Sequence, residues 1–295
     1  MMREDTNGYQ EKPTICSEQT AKLILHCDSF SGEMPIIRVL SPCPVLVERD
    51  GRLVQIVGYD KRSGIMAAGS KVPKVPLDHA RELLNQLLDD FRFAAPSDGS
   101  RAIAALITPA LVIGGILGGR SPVDLGEADA SQAGKGFRNK LTAAIYRNRI
   151  VTVTQKKGGV GSLEESFNSA LVRGANFIAF DNVRGKIDSP ALESFLTEDR
   201  YLARPPFQPS VEIDPRRVVV QMTSNKAEIT KDLANRSSFV RILKQTAGYE
   251  FQEYAEGDLL DHVRAKRDPC DHGRVDFPSR GSRSSAFLRM LLMLP

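Results

Sequence analysis

A glycine followed by a lysine, Gly134-Lys135, closes the segment Asp129–Gly136, which stands between a predicted strand and a predicted helix. A phosphate-binding loop has the pattern GxxxxGK[S/T], and its backbone N–H groups, its lysine and the following helix N-terminus hold phosphates. The segment fits that pattern in part, because Asp129 replaces the first glycine and Gly136 replaces the Ser/Thr that would bind Mg²⁺. It is therefore a candidate phosphate-binding loop, and the alternative is a surface Gly-Lys turn.

An acidic residue ends an apolar run further along the chain. Residues 177–180 are predicted to form a buried strand, and Asp181 follows at its carboxyl end. A carboxylate in that position can hold Mg²⁺ directly or through water. Asn182 occupies the next position, where a glutamate would polarise an attacking water. Asp181 is thus a candidate Mg²⁺ ligand, and the alternative is a core strand that ends in an Asp-Asn turn.

Two polar residues after the next predicted strand complete the set of candidates. Asn225 follows the strand predicted over residues 218–222, where its side chain could contact a γ-phosphate or orient water. Arg236 comes after a predicted helix, and an arginine there could reach a nucleotide bound by an adjacent subunit. The alternatives are a turn with a local Asn hydrogen bond and a solvated surface arginine.

Strands and helices alternate from about residue 122, and this alternation positions the candidate residues. Hydrophobic periodicity predicts strands over residues 122–127, 150–154, 177–180 and 218–222, and helices ending near 146 and over 162–172, 189–197 and 226–233. Such an alternation predicts a mainly parallel sheet covered by helices, which is an α/β fold.

The chain divides into four regions. Residues 1–32 are expected to be weakly ordered, and residues 33–119 to form a β-hairpin and helical lead-in region. Asp50-Gly51 predicts the hairpin turn, and Asp78 is the expected N-cap of the first helix. Residues 120–245 form the α/β core. Residues 246–295 are expected to form a C-terminal tail. The regular sequence pattern ends near residue 268, which leaves open whether the rest of the tail is native-like or truncated.

An uncharged stretch, Ala102–Gly119, approaches the length that spans a bilayer. Its proline and glycines favour a buried helix that begins at Arg101, breaks at Pro109 and continues as a glycine-rich loop. We therefore expect no membrane association, and a membrane anchor is the alternative.

Composition narrows the function classes. A net charge of +4 is compatible with a nucleic-acid partner without requiring one. The absence of Trp and an aromatic content of 6% argue against a single-strand binder that works mainly by base stacking. Four cysteines without a CxxC pair or a disulfide framework, and a polar N-terminus without a signal-peptide pattern, predict a cytoplasmic location.

Taken together, the motifs of residues 120–245 occur in one order along the chain: the Gly-Lys loop, the strand ending at Asp181, the strand leading to Asn225, and Arg236. This region resembles the AAA+ type ATPase domain of mobile-element (phage and plasmid) replication proteins, which is related to superfamily three helicases. Residues 38–109 resemble the segment that precedes that domain. The resemblance implies a P-loop, AAA+-like parallel sheet with flanking helices, preceded by a small β-hairpin and a helical segment.

The resemblance also implies roles for residues at the nucleotide. Lys135 would contact the β- and γ-phosphates of ATP, Asp181 would bind Mg²⁺, Asn225 would be the sensor and Arg236 the arginine finger of a homo-oligomeric ring. Asn182 would lie at the catalytic position. The segment expected to line the cofactor comprises Asp129, Ala133, Gly134, Lys135, Gly136 and Phe137.

The departures at Gly136 and Asn182 leave two main functions open. One is an ATPase that assembles into a ring and acts on DNA as a helicase or loader during replication of a mobile element. The other is an accessory or assembly factor that binds nucleotide or DNA without significant turnover. Both departures would weaken hydrolysis more than binding, since a phosphate cradle consists largely of backbone N–H groups.

Overall fold

The computed structural model describes residues 2–5, 8–11, 15–153, 162–187, 189–225 and 228–266. In chain order, the elements before residue 120 are β1 (Met2–Asp5), β2 (Gly8–Glu11), α1 (Glu18–Leu25), α2 (Asp28–Glu33), β3 (Val39–Ser41), β4 (Val45–Arg49), β5 (Arg52–Ile56), β6 (Gly58–Asp60), β7 (Ile65–Ala67), α3 (Leu77–Gln86), β8 (Arg92–Phe93) and α4 (Pro96–Gly114).

The elements that follow are β9 (Val123–Ala128), α5 (Lys135–Ile145), β10 (Val151–Val153), α6 (Leu163–Val172), β11 (Phe177–Val183), β12 (Lys186–Ile187), α7 (Pro190–Phe195), β13 (Tyr201–Ala203), β14 (Val211–Ile213), β15 (Val219–Ser224), β16 (Glu228–Ile229), α8 (Lys231–Asn235), β17 (Ser237–Leu243) and α9 (Leu259–Ala265). A short 3₁₀ turn, Pro215–Arg217, precedes β15.

Six of the described strands form the central sheet, in the order β10-β11-β15-β9-β17-β8. All neighbouring pairs are parallel except β17 and β8. The strand β9 is therefore flanked on both sides by strands that come much later in the sequence. The carboxyl ends of β9, β11 and β15 meet at one edge, as parallel pairing requires. The predicted α/β fold with a mainly parallel sheet is confirmed.

Both faces of this sheet are buried, because alternate residues of each strand point to opposite sides. Phe177, Val219 and Val240 lie on one face and belong to a core that includes residues of α4 and α5. Ile178 and Val220 lie on the other face, in a core that includes residues of α6 and α7. The strands are accordingly rich in apolar residues throughout, which is typical of a doubly covered sheet.

The predicted hairpin in the lead-in region is confirmed. Strands β4 and β5 pair antiparallel, with Arg49 opposite Arg52. The two turn residues, Asp50 and Gly51, have φ values of 53° and 72°. A two-residue turn with both φ values positive matches the right-handed twist of the strands it joins, which explains the Asp-Gly sequence.

The expected helix break at Pro109 is wrong. Helix α4 begins at Pro96 and continues through Pro109 to Gly114, and Gly115 ends it in the left-handed conformation. Proline removes one backbone donor, so the Ala105 carbonyl lacks its intrahelical partner, while hydroxyl groups bond the carbonyls on either side of it. Thr108 Oγ1 donates to the Ala104 carbonyl at 2.8 Å, and the Tyr146 hydroxyl donates to the Leu106 carbonyl at 2.8 Å.

Two further boundaries differ from the sequence-based expectation. Pro76, not Asp78, is the N-cap of α3, and Asp78 lies in its first turn. Residues 226–233 were predicted to form one helix, but Glu228–Ile229 instead pairs with Lys186–Ile187 as a short strand. The helix α8 starts only at Lys231, after Thr230 accepts the Leu233 N–H.

The ends of the described chain contain secondary structure. The N-terminal region forms the β1–β2 hairpin and the helices α1 and α2, and no residue of α1 is buried. In the C-terminal region, α9 packs against α5. Residues 267–295, which include the Arg/Ser-rich part of the tail, lie outside the described residues. Within the described residues, no helix is long and apolar enough to cross a membrane.

Helix α4 approaches the hairpin closely at Gly114. A Cβ atom on Gly114 would lie 1.7 Å from the Leu46 carbonyl oxygen, whereas one on Gly118 would meet nothing within 4 Å. Gly114→Ala should therefore destabilise the protein by about 3 kcal/mol, because the helix and the hairpin must separate. Urea unfolding measures the change, with Gly118→Ala as the matched control. Equal midpoints for the two variants would contradict this packing.

Candidate functional site

The segment between β9 and α5 forms a tight loop whose backbone needs glycine. Gly134 has a φ of 92° and is the N-cap of α5. A Cβ atom there would lie 3.2 Å from the Phe91 ring, so both the backbone conformation and the available space favour glycine. Asp129 begins the loop and accepts the backbone N–H of Lys244 at 3.1 Å. Its carboxylate therefore ties the loop to the end of β17.

Lys135 is the first residue of α5 and is only 9% exposed. Its Nζ donates a hydrogen bond to Oδ1 of Asn225, which directly follows β15. Burial lowers the pKa of Lys135, and the Asp181 and Asp129 carboxylates act in the opposite direction. The structure thus brings together two of the predicted residues, Lys135 and Asn225, which are 90 positions apart in the sequence.

Asp181 and Asn182 form an irregular end to β11. The register between β11 and β15 shifts between Phe180 and Val183, and Asn182 has a φ of 50°. Asparagine tolerates this left-handed conformation better than glutamate does. The residue type at position 182 is therefore explained by the backbone.

Thr223 is a site residue that the sequence analysis did not single out. Its hydroxyl donates to Asp181 Oδ1 and accepts the Asn182 backbone N–H, both at 2.7 Å. Thr223 is 2% exposed and lies in β15. The sequence signal for Thr223 was its polar side chain near the end of a predicted buried strand. Its partners, Asp181 and Asn182, become apparent only from the pairing of β11 with β15.

The residues at this edge fit Mg²⁺ together with a phosphate ligand. Asp181 supplies one exposed carboxylate, and a Cβ on Gly136 would lie 3.8 Å from its Oδ1, so the first turn of α5 adjoins this carboxylate. No group of three or more acidic, His or Cys side chains that could hold a metal lies within the described residues. One carboxylate suits Mg²⁺ that takes its remaining ligands from phosphates and water.

The first turns of α5 are held to the sheet by a buried ion pair. Arg138 is fully buried, and its Nη2 donates to Asp124 Oδ1 of β9 at 2.7 Å. The second oxygen of that carboxylate accepts the Gln221 side-chain amide of β15 at 3.2 Å. Helix α5 is therefore anchored to the two strands whose carboxyl ends border the loop.

A cavity of about 640 Å³ opens on one side of the loop. Gly134 and four aromatic side chains line it, namely Phe91, Phe137, Tyr249 and Phe251. The Phe91 and Phe137 ring centroids lie 6.3 Å apart, and the Tyr249 and Phe251 rings meet edge to face at 5.1 Å. Ala133 also lines this cavity. An apolar, aromatic cavity next to a polar cluster is a common form of small-molecule site.

Arg236 lies at the amino end of β9, away from the loop that follows the carboxyl end of that strand. Its carbonyl accepts the N–H of Val123, the first residue of β9. Lys135 packs beside Gly126, which is about 10 Å further along β9 than Val123. Within the described residues, the Arg236 side chain makes no hydrogen bond or ion pair with Lys135 or Asn225. Residues 154–161, which include the glycine-rich segment before α6, lie outside the described residues.

Comparisons with known proteins add little to this geometry. No family model matches the chain, and no curated protein matches it. Among solved structures, it is similar to an apo structure of the NrS-1 C-terminal region, with 12% identity and a TM-score of 0.46. A second apo structure of that region shares 14% identity, with a TM-score of 0.44. Each alignment covers 93% of this chain and 60% of the other.

The Arg138–Asp124 pair gives a direct test of how α5 is held. Arg138→Met should destabilise the protein by about 3–5 kcal/mol, because it leaves the Asp124 carboxylate buried without its cation. Adding Asp124→Asn to this variant removes the unpaired charge and should recover part of the stability. Urea unfolding of the three proteins measures both effects. A destabilisation below about 1 kcal/mol for Arg138→Met would contradict the anchoring role.

Proposed function

We propose that this protein binds ATP with Mg²⁺ at the carboxyl edge of its sheet, in the manner of a P-loop, AAA+-like ATPase. The observation that carries the proposal is the position of Lys135, which begins α5 directly after Gly134 and whose ammonium group donates to the side chain of Asn225. A cation at a helix N-terminus, beside a glycine in the left-handed conformation, is suited to phosphate groups.

The two sides of the loop suit the two ends of a nucleotide. On one side, Asp181 supplies a carboxylate for Mg²⁺, and Lys135 supplies the charge that the β- and γ-phosphates require. On the other side, the aromatic cavity can bury a purine base between flat apolar side chains such as Phe91 and Tyr249. Gly134 lies between them and allows the nucleotide to approach the backbone closely.

The proposed biological role is action on DNA, as a helicase or loader, in the cytoplasmic replication of a mobile element. It rests on the resemblance in motif order and on the mildly basic charge of the chain. Assembly into a ring is part of the proposal, because the role proposed for Arg236 is that of an arginine finger. Such a residue would act on the nucleotide of a neighbouring subunit.

A second candidate function is an accessory factor that binds nucleotide or DNA without significant turnover. The favouring observation is that no glutamate follows Asp181, since Asn182 occupies that position in a left-handed conformation. Gly136 also offers Mg²⁺ no hydroxyl. Both features would slow hydrolysis and leave the backbone cradle for the phosphates intact.

Nucleotide binding by Lys135→Ala tests the proposal most directly. Removal of the ammonium group should weaken Mg²⁺-ATP binding by about 10- to 100-fold, the range for hydrogen bonds to charged groups. Isothermal titration calorimetry measures the affinity, and Lys71→Ala, an exposed lysine in the lead-in region, is the control. ATP turnover with and without single-stranded DNA, measured on the same proteins, separates the two functions.

Each result of that experiment has a definite meaning. DNA-stimulated turnover that disappears in Lys135→Ala supports the ATPase, and binding without turnover supports the accessory factor. Equal ATP affinities for the wild type and Lys135→Ala, or no ATP binding by the wild type, would show that the loop is not a phosphate site.

Gly136→Thr tests whether the missing hydroxyl limits hydrolysis. The added Cβ would make ordinary contact with Asp181, so the fold should accept it. If the proposed Mg²⁺ site is otherwise complete, the hydroxyl should raise Mg²⁺-dependent turnover about tenfold, equivalent to ~1.4 kcal/mol in the barrier. Gly136→Ala carries the same Cβ without the hydroxyl and is the matched control. Equal rates for the two variants would exclude this explanation.

A further inference from the structure

A second cavity, of about 800 Å³, lies along α5 next to Asp181. It lies between α5, residues 147–152 and the end of β11, and Arg264 of α9 also lines it. Among the described residues, Phe137 alone lines both this cavity and the aromatic cavity. We call it the basic cavity because of the side chains that line it.

Positive charge dominates the lining of the basic cavity. Its charged residues are Lys140, Arg147, Arg149, Arg264 and Asp181. Lys140 and Arg149 are exposed, and neither makes an ion pair with a described carboxylate within 4.0 Å. Arg264 pairs with Asp261 at 3.1 Å, but both side chains are about half exposed, so that pair is weak. The cavity therefore has a net positive potential, which would attract an anion.

The shape of the cavity indicates an extended anion. Its lining follows one face of α5 and the turn after it, through Gly136, Lys140, Ala143 and Arg147. A helical segment of this length rises by about 16 Å, which is roughly four or five phosphates at the ~3.4 Å axial spacing of a stacked strand. A single phosphate would occupy only a part of this length.

The lining also contains an unsatisfied polar group. Asn139 is 2% exposed, and its amide nitrogen and oxygen have no hydrogen-bond partner within the described chain. The lining follows one helix face and the turn after it, which offers a single row of cations and so suits the phosphate backbone of one strand. The combination of a cationic wall with one aromatic ring, Phe137, indicates binding mainly through phosphates.

We propose that the basic cavity binds the phosphate backbone of a single-stranded nucleic acid. This inference deepens the proposed function, because it rests on the nucleic-acid partner proposed there. The strand would lie against Lys140, Arg149 and Arg264, and its end nearest Gly136 would adjoin Asp181. A bound strand would therefore add negative charge next to the groups proposed to hold Mg²⁺ and ATP.

Fluorescence anisotropy with a labelled oligo(dT) of about 20 nucleotides, without ATP or Mg²⁺, tests the inference on the full chain. Lys140→Gln/Arg149→Gln should weaken binding about tenfold at low salt. The slope of log K against log salt should become shallower by about 1.4, because each phosphate that a protein cation neutralises on a single strand contributes ~0.7. Arg52→Gln/Lys61→Gln removes the same charge from exposed positions that do not line the cavity, and should bind like the wild type.

Further arms of the experiment identify the ligand. Oligo(U) in place of oligo(dT) shows which sugar is preferred, and either preference is consistent with a phosphate-backbone site. Displacement of the oligonucleotide by tripolyphosphate at equal phosphate concentration would overturn the proposal, because a simple anion site would suffice.

The remaining outcomes separate this inference from the ATP site. Equal affinities of the cavity variant and the wild type, or no oligonucleotide binding by the wild type, would overturn it. Mg²⁺-ATP binding by the cavity variant should be unchanged, since neither substituted residue belongs to the proposed nucleotide site. ATP binding without oligonucleotide binding would thus remove the inference and leave the proposed ATP site standing.

Discussion

The position of α5 against the sheet, and with it that of Lys135 relative to Asn225, depends on one buried ion pair, Arg138–Asp124. Asp124 belongs to β9 at the centre of the sheet, and its second oxygen also accepts from Gln221 of β15. A buried charge without its partner is costly, so α5 cannot slide along the sheet without a large free-energy penalty. The loop that starts at Asp129 therefore has both ends fixed, one by β9 and one by α5. Lys135 is placed on the same helix, just before this anchor.

The end of β11 is organised by backbone constraints as much as by its acidic side chain. Thr223 bridges the two strands because its hydroxyl serves both the Asp181 carboxylate and the Asn182 N–H. The two hydrogen bonds of Thr223 lie at the register shift in β11, where Asn182 has a φ of 50°. A glutamate at position 182 would be strained in this conformation. The absence of a glutamate after Asp181 is therefore explained by the backbone conformation at position 182.

The larger features could be predicted from the sequence because they depend on local patterns. Strand-helix alternation indicated the sheet, and the Asp50-Gly51 pair indicated the hairpin. The Gly-Lys pattern identified Lys135, and the end of a predicted strand identified Asn225, which the fold brings into contact with it. Contacts between distant segments could not be predicted in this way. Phe91 and Tyr249 line one cavity only because β8 and the segment after β17 lie at the same end of the sheet. Similarly, the Tyr146 hydroxyl at the end of α5 donates to the Leu106 carbonyl of α4, a contact across 40 positions that no local pattern indicates.

The two cavities are related through α5, whose first turn borders both. Phe137 lines each of them, Gly136 lines the basic cavity, and Gly134 lines the aromatic cavity. Because α5 is fixed to the sheet at Arg138, an occupant of the basic cavity would act on Asp181 and Gly136 directly, through charge and contact. Coupling between two ligands requires only that each changes the free energy of binding of the other. Polyanions in both places would repel each other, and a shared Mg²⁺ at Asp181 would offset that repulsion. The sign of the coupling is thus set by the balance between this repulsion and the attraction of both sets of phosphates to the ion.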